Sequence, residues 1–361
     1  MTEYKYKVVY TWMKERIDDK TYKFGQKLPS ENFLCAKFNV SRQSVRKAYT
    51  ALVAEGYVYS IHGSGYYVKK DNCFDKNTKT VGIIMSYLAD HMFPSILMGI
   101  EEVLLENGYG MHLGITENCF DRERKCLQLL ERDRIAGIVV EGTKSALPNP
   151  NVHLYQRFIE QGIPVVFIHN YYRNLKTPSI LMDDISMARE ITTMLVEAGH
   201  VNIGCAFKYD DLQGHRRFQG FSEALNNAGV PIIDSNVKWF CSKKELWTQN
   251  RYGINLEEDS FKNMTGFVCY NDMLAEELLI EARKISVSIP QQLSMVAFDD
   301  QNVQLDDGHY LTSVRHPRKK LGIKAAETLL EIIEGNGHIE SDEQIIIPTR
   351  ISLRDSVLSI K

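Results

Sequence analysis

Arg42 and Arg46 stand one helical turn apart in the run SRQSVRKAYTALV, with Gln43 and Lys47 beside them. At this i, i+4 spacing both guanidinium groups leave the same face of a helix. A guanidinium reads guanine O6 and N7 with two hydrogen bonds, and a carboxamide can read adenine. The four residues therefore suit a helix laid in the major groove of duplex DNA. Glu31, Ser41 and Ser44, at the starts of this helix and the one before it, complete the candidate face. Lys5 and Tyr6, at the start of an earlier helix, can touch phosphate or form an ordinary solvated first turn. His62, Gly63 and Ser64 form a glycine-rich tip able to approach a phosphate backbone or minor groove.

A second set of residues follows apolar runs. Asp90 and Phe93 come after TVGIIMS, Glu141 after GIVV, His169 after PVVFI, Asn271 after FVCY and Asp299 after MVAF; Arg217 sits at a helix start. Carboxylates, amides and one guanidinium approaching from several directions are the groups that hydrogen-bond a polyol. Phe93, Tyr171 and Trp239 can stack on an apolar sugar face. A lone polar residue after a strand is ordinarily a helix cap. Asp184, Asp272 and Asp300 are read that way, but five or six such residues on one rim suggest a site.

The elements that must position these groups fall into two patterns. In residues 1–70 a helix over 4–19 carries the apolar stripe Val8, Val9, Trp12, Met13 and Ile17. A second helix begins at Ser30–Glu31, places Phe33, Leu34 and Phe38 inward, and stops at Asn39. A third, capped by Ser41, buries Val45, Ala48, Tyr49 and Leu52. Tyr57, Tyr59 and Ile61 then alternate, and Tyr66–Val68 returns after the glycines as a hairpin. Two short helices, a tight turn and a hairpin make a winged helix-turn-helix. Residues 71–79 are polar and aperiodic, and read as a linker.

From Thr80 apolar strands alternate with helices: 80–86, 109–115, 136–142 and 164–169 as strands, with helices over 93–107, 120–132 and 152–161. A second series begins with SILMD (179–183) and helix 184–198. It continues with NIGCAF, helix 216–228, VKWF, a polar helical stretch, TGFVCY, helix 272–285 and LSMVAFDD. Near-continuous apolar strands separated by helices indicate parallel sheets covered on both faces. The fold class expected is therefore α/β: an N-terminal winged helix-turn-helix, then two lobes of doubly wound parallel sheet over 80–361. Ligands of such sheets bind beyond the strand carboxyl ends, which places this one between the lobes. Ile96, Ile100 and Leu104 are either a dimer face or core.

Charge agrees with this division. Residues 1–70 hold 13 Lys/Arg against 6 Asp/Glu, and the remainder 30 against 40. A basic head on an acidic body confines nucleic-acid affinity to the head. The seven cysteines are scattered with no C-x-x-C, which fits reduced thiols in cytoplasm and gives no zinc site. No secretion signal and no apolar run of about 18 residues is present, so no membrane role is expected. G-x-G-x-x-G after a strand, a P-loop, H-E-x-x-H and G-x-S-x-G are all missing. Gly63-Ser64-Gly65 is too tight for a nucleophile elbow, and the adjacent Asp299 and Asp300 point apart. No metal, no cofactor and no catalysis are expected.

The string PSE…F.VSR.SVRKA…L…G.VYS..GSG.YV, over about residues 4–70, resembles the winged-helix domain of the GntR family. R-F-Q-G-F (217–221), Y-N-D (270–272) and A-F-D-D (297–300), within about 80–361, resemble the effector domain of LacI-type repressors and periplasmic sugar-binding proteins. That resemblance implies that Arg217, Asn271 and Asp299 hold the ligand. It also implies that TSVRHPRKKL (312–321) crosses back to the first lobe, helix 318–334 packs there, and IIIPTRISLRDS returns to the second. The combination and order are similar to the arabinose-repressor family of Gram-positive bacteria. The resemblance implies a homodimer on a two-fold operator, released when a sugar, L-arabinose above all, closes the cleft. A response to another sugar or metabolite, and a transport-type binding protein, remain as alternatives.

Overall fold

A computed structural model of the chain describes residues 2–19, 21–23, 25–55, 57–61, 64–68, 78–88, 92–241, 263–335 and 342–361, with side chains from Tyr6 onward and without that of Ala54. His62, Gly63, Asp90, the side chain of Lys5, most of the 71–79 linker and the polar helical stretch after VKWF lie outside the described residues. The chain divides into two compact units, residues 1–78 with 157–163 and residues 79–156 with 164–361.

In the first unit, α1 (Thr2–Asp18), α2 (Glu31–Phe38) and α3 (Arg42–Ala54) precede the antiparallel pair β1 (Val58–Ile61) and β2 (Gly65–Val68). Ser30 accepts from Phe33 N and Ser41 from Ser44 N, so both expected caps form. Asn39 ends α2 at φ 50°, a conformation Asn tolerates. Val9, Met13, Ile17, Leu34 and the α3 stripe Val45, Ala48, Tyr49 and Leu52 form the core. The Tyr49 hydroxyl donates to Pro29 O at 2.5 Å and its ring stacks on Tyr66 at 3.8 Å, tying α3 to the turn and the wing. Three expectations fail. Val8 and Phe33 are exposed, because a three-helix core this small takes one residue per turn from α1 and only Leu34 fully from α2. In β1 it is Val58 that points inward, while Tyr59 and Ile61 face out, so the strand runs in the opposite phase.

The second unit holds two six-stranded sheets. The first has the order β13-β7-β6-β5-β3-β4 and is parallel throughout; the second has the order β14-β12-β11-β10-β8-β9, with only β14 antiparallel among the described strands. The first sheet comprises β3 (Thr80–Met85), β4 (Gly110–Ile115), β5 (Gly137–Glu141), β6 (Val165–Ile168), β7 (Ser179–Met182) and β13 (Gln344–Ile347). Helices α4 (Met92–Glu106), α5 (Phe120–Arg132) and α6 (Val152–Glu160) alternate with its early strands. The second sheet comprises β8 (Ile203–Lys208), β9 (Val237–Phe240), β10 (Gly266–Cys269), β11 (Ser294–Asp299), β12 (Thr312–Arg315) and β14 (Ile351–Ser352). With it go α7 (Asp184–Glu197), α8 (Leu212–Asn227) and α9 (Asp272–Lys284). Helix α10 (Arg318–Glu334) packs on α4 of the first lobe.

The chain thus crosses between lobes after β7, between β12 and α10, and between β13 and β14. The last two crossings are the expected ones. The first comes later than expected: SILM (179–182) pairs with β6 and β13 and closes the first lobe instead of opening the second. Ile96, Ile100 and Leu104 are core, whereas Met98 and Leu105 are the exposed apolar residues of α4. A Cβ on Gly322 would strike Ile96 O, so glycine there permits the α4–α10 backbone contact. Gly220 does the same for α8, where a Cβ would meet Ile185 O in the first turn of α7.

Candidate functional site

On α3, Arg42, Gln43, Arg46 and Lys47 are all exposed, so the three basic residues and Gln43 are free to share one outward face. Ser44 does not join it. It is 3% exposed, and its hydroxyl lies 3.1 Å from that of Ser41, within the cap. Glu31 faces Arg46: Nε donates to both carboxylate oxygens at 3.0 Å. Lys47 lies over the Tyr6 ring at 4.6 Å, which turns Tyr6 into a platform for a cation. At the wing, the Ser64 and Tyr67 hydroxyls are 2.5 Å apart.

In the second unit some of the predicted residues meet at one cavity: Phe93, Glu141 and Asn271 line it, and His169, Arg217, Trp239 and Asp299 do not. A cavity of about 50 Å³ lies between the lobes, bounded by Ser86, Phe93, Glu141 and Asn170 from the first and by Lys208, Tyr270 and Asn271 from the second. Its size is well below the 300–1,000 Å³ of ordinary ligand sites, so the lobes stand close.

Arg217 sits in the second turn of α8 rather than at its start. Asp211 caps the helix at Gln213 N, four residues before the expected beginning. Gly220 brings this helix against α7, and Arg217 reaches Asp184: Nε donates to Oδ1 at 2.8 Å, and both side chains are fully buried. Nη1 donates to Tyr270 O at 2.5 Å, and the guanidinium lies 4.2 Å from the Phe298 ring centre. Burial raises the pKa of the Asp184 carboxyl, and Arg217 opposes that shift.

Glu141 and His169 meet across the first sheet. His169 Nδ1 is 2.9 Å from Glu141 Oε1, while Glu141 Oε2 accepts from the amide and hydroxyl of Ser86. Burial alone would depress the His169 imidazole; the hydrogen bond and charge of Glu141 outweigh it and raise its pKa. Phe93 packs edge-on against His169. On the other side stands His316, with ring centres 5.0 Å apart. Burial, reinforced by His169, Arg217 and Arg318, pushes His316 well below its ordinary pKa. His169 Nε2 and both ring nitrogens of His316 are buried without a hydrogen-bond partner among the described residues. His169 and Asp299 also end their strands at φ 63° and 104°, conformations unfavourable to side chains with a Cβ.

The expected caps are exchanged. Asn271 itself caps α9, accepting from Leu274 N at 2.9 Å, and Asp183 caps α7. Asp272 instead accepts from Gln301 N and the Ser313 hydroxyl, both at 2.6 Å, and Asp300 pairs with Arg354. Two aromatics are not brought to the cleft cavity. Trp239 lies on the edge strand against His215 and Phe218, and Tyr171 packs with Arg216. Ser86, Lys208 and His316 were missed, and Asp184 was read as a cap. Ser86 and Lys208 directly follow or end an apolar run, the rule that pointed to Glu141 and Asp299. His316, after LTSVR, was hidden behind a crossover.

Residues 5–68 match the bacterial regulatory proteins of the gntR family, and residues 192–357 match the periplasmic binding protein-like domain. An arabinose metabolism transcriptional repressor of Halalkalibacterium halodurans is 33% identical, covering 99% of this chain and 98% of its own. That of Geobacillus stearothermophilus is 35% identical, with 93% and 92% covered. Among solved structures, a periplasmic binding protein/LacI transcriptional regulator from Alkaliphilus metalliredigens, complexed with D-xylulofuranose, superposes with a TM-score of 0.65 at 22% identity, covering 78% of this chain and all of its own. The transcription regulator CcpA of Lactococcus lactis gives 0.64 at 21%, with the same coverage. With a gntR-type head, a periplasmic-binding-protein-like body and end-to-end similarity above 30%, the chain belongs to the family of arabinose metabolism transcriptional repressors.

Proposed function

We propose that this sugar-responsive repressor takes L-arabinose in the inter-lobe cleft and leaves its operator when the sugar binds. The observation that carries the cleft assignment is the meeting of polar side chains from both lobes at one cavity: Ser86, Glu141 and Asn170 from the first, Lys208 and Asn271 from the second. His169, bonded to Glu141 of that cavity, and His316 beside it carry ring nitrogens without a partner among the described residues, which a hydroxyl-rich ligand could satisfy. His169, with Nδ1 on Glu141, offers Nε2 as an acceptor when neutral and as a donor when protonated; neutral His316 offers one donor and one acceptor. Arg217, Asn271 and Asp299 present polar groups from the second lobe, and Phe93 an apolar wall. In this reading Asp90 adds a further contact and Trp239 does not.

Operator reading rests on Arg42, Gln43, Arg46 and Lys47. Two recognition helices must enter successive major grooves, so the working form is a homodimer. The functional divisions are the head at 1–70, the linker at 71–79 and the effector and dimerisation body at 80–361. The protein acts in the cytoplasm and carries out no turnover; among the described residues no helix is long and apolar enough to cross a membrane. A hundredfold preference of the sugar for the non-operator state corresponds to about 2.7 kcal/mol of coupling.

Thermal unfolding against L-arabinose, other pentoses, hexoses and purines tests the effector. At about a hundred times its dissociation constant, the true ligand stabilises by about 2.7 kcal/mol. A shift with L-arabinose followed by operator release supports the reading. A shift with a purine or a hexose alone overturns L-arabinose as the effector.

A further inference from the structure

Helix α8 is capped partly from the opposite lobe. Its first residue, Leu212, donates its backbone N–H to the Ser145 hydroxyl at 2.9 Å, and that hydroxyl donates to Asp211 Oδ1 at 3.0 Å. Ser145 belongs to the loop after β5 in the first lobe; Asp211 and Leu212 belong to the second. Ala146 N donates to Asp210 O at 3.4 Å, and Asn118 Nδ2 to Asp210 Oδ2 at 3.3 Å. Asn118 Oδ1 accepts from Lys144 N at 2.7 Å, so the two first-lobe loops brace each other.

The Ser145 loop is anchored from below. Glu123, fully buried, accepts from the Tyr155 and Tyr172 hydroxyls at 2.9 and 2.6 Å and from Asn149 and Asn151 at 2.8 Å. The loop is therefore held for contact before the lobes meet. At the other end of the contact, α8 carries Arg217 one and a half turns further on. Anything that holds the first turn of α8 also holds Arg217.

We propose that Ser145 is a positioning residue that latches the lobes together by completing the cap of α8 in trans. Rupture of the latch is the step that opens the cleft. The proposal rests on the cleft being the effector site only for its sugar arm; the latch itself rests on the trans-lobe hydrogen bonds of Ser145. Asn118, Ser145, Asp210 and Asp211 all line the inter-lobe cavity, so admission of effector there passes through loss of these bonds.

The test uses the full-length protein without sugar. Amide hydrogen exchange is measured at Leu212 and Gln213, with the distance between one spin label on each lobe. Loss of one helix cap corresponds to about a tenfold change (about 1.4 kcal/mol). Ser145→Ala is therefore expected to speed exchange at Leu212 about tenfold and to lengthen or broaden the inter-lobe distance, while Ser145→Thr, which keeps a hydroxyl, restores both. Unchanged exchange and distance in Ser145→Ala overturn the latch. In the sugar arm, L-arabinose associates about tenfold faster with Ser145→Ala than with wild type. Equal association rates in two proteins that both bind also overturn it. Absence of L-arabinose binding to wild type counts against the proposed effector alone, because exchange and distance still decide the latch.

Discussion

Replacing Arg217 separates its part in the fold from the part proposed for it in the response. The guanidinium and the Asp184 carboxylate are both fully buried and joined at 2.8 Å, with Gln213 Nε2 the other donor to Asp184 at 3.3 Å. Arg217→Met keeps the volume and removes the charge, leaving a buried carboxylate held by one amide. Breaking one side of such a pair costs about 3–5 kcal/mol. Protonation sets a ceiling on that cost: neutralising a carboxyl of ordinary pKa 3.8 at pH 7 requires about 3.2 × 1.36, or about 4.4 kcal/mol. The variant should thus lose about 4 kcal/mol at pH 7. The sign follows from proton binding. In the variant the folded state holds a proton that the unfolded state releases above pH 3.8, so stability falls as pH rises, and lowering the pH to 5 returns about 2.7 kcal/mol. The assay is urea unfolding of the body at pH 5, 6 and 7, repeated with Arg217→Met/Asp184→Asn. The double variant should regain most of the stability and its pH independence, yet fail to respond to L-arabinose. A loss below about 1 kcal/mol with no pH dependence would refute the argument that this pair holds α8 on α7. A double variant that responds normally would remove Arg217 from the effector site.

On α3, Arg42→Ala should weaken specific operator binding by about 1–3 kcal/mol at fixed salt. Arg46→Ala should cost less, because Arg46 must first give up Glu31; titration of a labelled operator that shows Arg46 to be the costlier loss would reverse the assignment. Asp272, raised from 3.8 to about 7 by burial and by the charge of Asp299, binds a proton in the folded state that the unfolded chain lacks between those values. Stability therefore drops by up to about 4 kcal/mol as pH rises from 4 to 7, and Asp272→Asn should flatten that slope in thermal scans. A slope unchanged in the variant would show that Asp272 ionises normally. His169→Gln should weaken sugar binding by about 1–3 kcal/mol while leaving operator affinity intact, measured by calorimetry and operator titration; undiminished sugar affinity would place His169 outside the site.

Periodicity made most of the architecture legible, and the errors have one physical source. The α3 stripe came out correctly because a helix buried against two neighbours must repeat an apolar residue each turn. The phase of β1 did not, because Tyr57, Tyr59 and Ile61 alternate as convincingly as Val58 buries, and a hairpin needs only one inward face. At strand ends the sequence marks where polar residues cluster but not which one turns back on its helix. Asn271–Asp272 and Asp183–Asp184 each pair a cap with a partner for something else, and the roles emerged reversed. Which strand closes a lobe was equally invisible. SILM is apolar on both faces in either sheet, and only its pairing with β6 and with the sequence-distant β13 puts it in the first. Trp239 was misplaced by the same limit, since an edge strand and an inner strand read alike in four residues.

The arrangement of α8 bears on how a small ligand can move large lobes. One end of the helix carries the trans-lobe cap at Leu212; the next turn carries Arg217, fixed to Asp184 and stacked on Phe298. Gly220 removes the clearance that would let the helix slide on α7. A rigid element with both attachments transmits a shift at the sugar to the lobe contact with little loss, whereas a flexible loop would absorb it. The buried pair also limits what the sugar can gain. Arg217 is already neutralised by Asp184, so an uncharged polyol needs only to satisfy remaining hydrogen bonds, and a carboxylate or phosphate would compete with Asp184 for the same guanidinium. If Arg217 takes the part proposed for it, neutral sugars are favoured over their phosphorylated or oxidised derivatives at this cleft. Calorimetric titration of L-arabinose beside its 5-phosphate tests this: tighter binding of the phosphate would mean that Arg217 is not held by Asp184 when the cleft is filled.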